Sequence, residues 1–101
     1  MTKLAAVMEA TEIEKRLREL LGHDKVGVKP YGRHFLVQIE DETGPDTVAR
    51  ITRLDPRTWG AAFKSHTGRW DPLPDEGDRD EMIALVVDEL GPYLDPANYC
   101  F

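Results

Sequence analysis

The sequence predicts an α+β two-layer sandwich. A four-stranded antiparallel meander carries an N-terminal and a C-terminal helix on one face, in the order α-β-β-β-β-α. Three observations lead there. Residues 4–21 and 79–94 repeat apolar side chains at helical spacing. Between them, four short runs alternate apolar and polar residues, as half-buried strands do. The links between those runs are too short for parallel crossovers, which need about a dozen residues.

The first helix rests on Ala6, Ala10, Ile13, Leu17, Leu20 and Leu21, separated by charged residues. Glu12–Arg16 and Glu14–Arg18 are i,i+4 pairs of the supporting orientation. Thr11 and Glu14 also form a capping-box pattern, so a helix start at Thr11 is an alternative to one at Leu4. Gly22 is a natural stop. The predicted strands are 25–29, 33–40, 47–54 and 59–66. The first two are joined at Tyr31-Gly32, and Asp55-Pro56-Arg57-Thr58 has the make-up of a β-turn. Residues 67–74, with Pro72 and Pro74, read as an irregular connector. Asp78-Arg79-Asp80-Glu81 opens the second helix with acids suited to its N-terminus. Its stripe is Met82, Ile83, Val86, Val87, Leu90 and Leu94, and Gly91-Pro92 should break it. Residues 95–101 read as a tail on a single domain, 1–101.

Two amphipathic helices and one strongly apolar sheet face are most simply satisfied by stacking both helices on that face. The expected core is Leu17, Leu20, Phe35, Val37, Ile39, Ile51, Trp59, Phe63, Ile83, Val86, Val87 and Leu90. The other face is left open, with His34, Leu36, Gln38, Glu40, Arg50, Thr52, Ala62, Lys64 and His66. Val48 and Leu54 fall on that side too, no aromatic does, and a Glu40–Arg50 cross-strand pair is expected there.

Composition narrows the function. The chain has 41% hydrophobic and 32% charged residues, ordinary values for a globular domain. No apolar run nears the roughly 20 residues of a membrane span. The apolar patch Leu4–Met8 is short for a signal-peptide core, so a cytoplasmic setting is expected. One cysteine, Cys100, leaves no internal disulfide to form. Residues 1–70 hold 12 basic and 10 acidic residues, and residues 71–101 hold 1 and 9. That acidic last third disfavours non-specific nucleic-acid binding by the whole surface.

The most concentrated stretch is Trp59–Trp70. It holds both tryptophans, and its two full charges, Lys64 and Arg69, are basic in a chain of net charge −6. Trp70 fits two roles: a plug closing the end of the sandwich, or an exposed anchor. Trp and Arg dominate interface hot spots, so Arg69-Trp70 is a candidate corner for recognition. With Leu36, Arg50, Lys64 and His66 it makes a candidate partner-binding surface, for another protein or for a second copy. Binding of nucleic acid or another anion by the basic groups is the alternative. An enzyme using His34 and His66 as acid and base is a further one. Ser65 and His66 are adjacent on a predicted strand and so point to opposite faces. No cofactor fingerprint is present, and His23, His34 and His66 lack metal-ligand spacing.

Overall fold

A computed structural model describes residues 3–41, 44–65 and 67–94. Two α-helices, α1 (Lys3–Leu21) and α2 (Arg79–Leu90), flank five strands. The strands are β1 (Val26–Tyr31), β2 (His34–Asp41), β3 (Gly44–Arg53), β4 (Trp59–Lys64) and β5 (Trp70–Gly77). A short 3-10 helix, Gly91–Leu94, follows α2 directly. The sheet is an antiparallel meander in the order β1-β2-β3-β4-β5. The expected sandwich therefore holds, with one strand more. Both helices pack on one face, where Ala10, Ile13 and Leu17 of α1 and Met82, Ile83, Val86 and Leu90 of α2 share a core with Phe35, Val37, Ile51 and Trp59. The tail, 95–101, lies outside the described residues.

Local chemistry explains the element ends. Asp78 caps α2, its Oδ1 accepting from the Glu81 N–H at 2.8 Å. Gly91-Pro92 ends the α-helix as expected, and the chain tightens into the 3-10 turn. Gly32 turns β1 into β2 with φ 62°, a conformation natural to glycine. Asp55 closes the β3–β4 turn by accepting from the Arg57 and Thr58 N–H groups at 2.8 and 2.7 Å. Those bonds, the Arg57 N–H first, hold its carboxyl below the usual carboxylate range. Thr11 does not cap α1. The helix runs through it unbroken, and its hydroxyl donates to the Val7 carbonyl at 2.9 Å, a bond made inside a helix.

Residues 70–77 are a strand, which corrects the expected connector. Gly68, at φ 83°, turns the chain back, with Ser65 N–H on the Arg69 carbonyl and Gly68 N–H on the Ser65 carbonyl, both at 2.9 Å. Proline removes a ladder donor, so it is tolerated in a strand that has no neighbour on one side, and β5 is an edge strand. The strand predicted over 59–66 ends at Lys64.

Three core expectations also change. Leu20 shares the side of α1 that buries Ile13, but in the last turn the cover is partial and it is 43% exposed. Phe63 and Val87 are half-buried. Phe63 sits where a cleft of about 420 Å³ opens beside the end of α2, with Val48, Leu73 and Leu90. Val48 belongs to this covered side, not the open one. A bulge leaves it unpaired between Val37↔Ala49 and Gln38↔Thr47, and it packs against the core.

The β1 edge is closed by α1. Glu14 Oε1 accepts from the Val28 N–H at 3.1 Å, and Arg18 Nε donates to the Val26 carbonyl at 3.0 Å. The same two side chains approach each other at 3.7 Å. A surface pair legible in the sequence thus satisfies backbone groups that would otherwise invite another strand.

Candidate functional site

The face of the sheet away from the helices is built from two cross-strand rows. One runs Lys29, Leu36, Arg50, Ala62, Pro72, and the next runs Tyr31, His34, Thr52, Gly60, Glu76. Lys64 stands opposite Trp70 one step beyond the first row. Four of the six predicted site residues, Leu36, Arg50, Lys64 and Trp70, are therefore neighbours. Arg69 is exposed beside them at the β4–β5 turn. His66 lies outside the described residues.

Trp70 is no plug in the core between the layers. It lies on the open face, half-buried, with the Arg50 guanidinium 4.6 Å from its ring centroid. Ala62, the neighbour of Arg50 in register, is 6% exposed although it lies outside the helix-covered core. The other tryptophan, Trp59, does belong to the core, tilted against Phe35 at 5.6 Å.

Arg50 does not pair with Glu40 as expected. Glu40 stands opposite Pro45, whereas Arg50 lies between Leu36 and Ala62. Among the described residues, ion pairs join Arg16 to Glu19, Arg18 to Glu14, and Arg79 to Glu9 and Asp80, none of them on this face. The Arg50 Nε is buried and has no hydrogen-bond partner among the described residues. A buried donor left unmatched costs about 1–3 kcal/mol.

A cleft of about 270 Å³ opens on the same face. Arg33, His34 and Arg50 form one wall, Asp75 and Glu76 of β5 the other, and Gly60 and Ala62 lie between. Leu54 leans over Gly60, where a Cβ would stand 3.3 Å from its Cδ1. His34 Nδ1 lies 2.8 Å from Thr52 Oγ1. Burial, then the nearby guanidinium groups of Arg50 and Arg33, lower the His34 pKa from 6.5. His34 and Glu40 lie towards opposite ends of β2. Six residue steps along the strand separate them, roughly 20 Å.

The open face was expected to lack aromatics, yet Tyr31, 68% exposed, and Trp70 both lie on it. Sequence reasoning also missed Thr52, Gly60, Pro72, Asp75 and Glu76 as parts of one cleft. The signal available was Ser65 to Gly68, a short glycine-bearing link of the kind that closes hairpins. His23 has a structural role instead. Its Nδ1 accepts from the Lys25 N–H at 3.1 Å, so its Nε2 carries the proton and donates to the Leu94 carbonyl at 2.7 Å.

Among the described residues, no three His, Cys, Asp or Glu gather where they could hold a metal ion. No helix among them is long and apolar enough to cross a membrane. Compared with family models, curated proteins and solved structures, the chain matches none of them.

Proposed function

We propose that this chain is a protein-recognition module that docks another polypeptide on the open face of its sheet. The Arg50–Trp70 stack carries the reading. Both residue types are rich in binding hot spots, and here a rigid ring and a fixed cation stand together beside Leu36 and Lys64. The single cysteine suits a reducing, cytoplasmic setting.

The test is Trp70→Ala, with association and stability measured on the same variant. Association should weaken by about 2 kcal/mol or more. The melting temperature should fall far less than for a core truncation. Proteins retained from a native lysate by the parent chain should be lost by the variant. An unchanged retained set and unchanged self-association would sink the proposal.

A second reading has one observation in its favour. Tyr31 and Trp70 share the open face with Lys29, Arg50 and Lys64, the mix of rings and cations that single-stranded nucleic acids use. Asp75 and Glu76 on the cleft oppose it. Steep salt dependence of oligonucleotide binding would favour this reading over protein docking.

A further inference from the structure

The open face complements itself when turned over, and we propose that it is a two-fold interface between two copies of this chain. The axis runs along the strands between β3 and β4. The inference rests on the protein-docking reading and names the occupant of that face.

Cross-strand register carries it. An axis in that place lays β2 of one copy over β5 of the second and β3 over β4, and it keeps each row level with itself. In the row His34, Thr52, Gly60, Glu76, His34 then meets Glu76, while Thr52 and Gly60 are buried within their own chain. In the row Leu36, Arg50, Ala62, Pro72, Leu36 meets Pro72, while Ala62, 6% exposed, is already covered within its own chain. The aliphatic Leu36 thus faces a flat proline ring, and the His34 imidazole faces an acid. No like charges are opposed in either row.

The cleft has the same polarity. Its basic wall comes from β2, β3 and the turn before β2, and its acidic wall from β5. No ion pair joins the two walls within one chain among the described residues. Turned over, the acidic wall of each copy covers the basic wall of the other. Two such contacts related by symmetry account for charges that a lone copy leaves unpaired.

The experiment is sedimentation of the full chain, with reductant, from micromolar to millimolar concentration. The parent chain should be dimeric. Arg33→Glu and Glu76→Arg each set like charges against one another twice, and each alone should dimerise at least about tenfold more weakly. An equimolar mixture should recover a heterodimer of near-parental strength, because one contact is reversed and the other is native. Loss of folding cannot mimic that recovery, and melting curves of both variants record it separately. Met8→Glu, on the exposed side of α1, should leave the dimer intact. A parent chain that stays monomeric, charge reversals that fail to complement, or a dimer lost in Met8→Glu would overturn the inference. If the monomer still binds another protein in a Trp70-dependent way, only the second copy is excluded and the docking reading stands.

Discussion

The two faces of the sheet treat charge in opposite ways. On the helix side and its margins, several charged groups bridge one element to another within the chain. Glu9 and Arg79 tie α1 to α2 at 3.0 Å, and Glu14 and Arg18 hold the free edge of β1. On the open side, Arg33, Arg50, Lys64, Asp75 and Glu76 make no ion pair among the described residues. One buried nitrogen there is unmatched. The helix side commits those pairs to holding the layers together. The open side keeps its charged groups out of ion pairs, which suits a surface that another molecule completes.

The largest expected effect tests the covered face. Phe35 is fully buried, so Phe35→Ala should cost about 3–5 kcal/mol in urea unfolding. Half-buried Phe63 opens onto a cleft, and Phe63→Ala should cost roughly half as much. Equal losses would mean that the two sites are packed alike and that the cleft beside α2 is closed in solution.

A smaller effect belongs to the β1 edge. Glu14→Ala leaves the Val28 N–H without its acceptor and should cost about 1–2 kcal/mol. It should also speed aggregation on heating, because an unguarded strand edge templates pairing. Glu14→Gln keeps an acceptor and should recover most of the loss. If Ala and Gln behave alike, the charge pair with Arg18 matters and the edge bond does not.

The smallest effect lies on the open face and concerns pH. The His34 pKa is lowered in the folded chain, so the unfolded chain binds the proton more readily. Stability should therefore be full above pH 6.5 and decline as the pH falls through 6.5 towards the lowered folded value. His34→Gln should flatten that decline. Thermal melts at dilution, where the chain is monomeric, across this range check the sign. A rise in stability on acidification that depends on His34 would place a carboxylate, not two guanidinium groups, as its dominant neighbour.

The site was only partly legible. Leu36, Arg50 and Lys64 reach the open face by strict alternation, and alternation is visible in sequence. Trp70 was singled out by residue type, but its partner was not visible, because the Arg50–Trp70 stack spans β3 to β5 across β4. The bulge at Val48 moved one apolar residue to the covered side, and one unpaired residue leaves no mark in a pattern of period two. The prolines of β5 argued against a strand because the sequence does not say which strand is an edge.

The sequence by itself determined both helices, the extent of the first four strands to within a few residues, the core of β2 and the cap of α2. These follow from periods of 3.6 and 2 and from bonds between near neighbours, which the order of side chains sets directly. Only the tertiary structure decided the fifth strand, the guarding of the β1 edge by Glu14 and Arg18, the exposure of Leu20, and the cleft with opposite charges on its two walls. Each of these depends on which surface lies against which across the fold, and a local pattern carries no record of that.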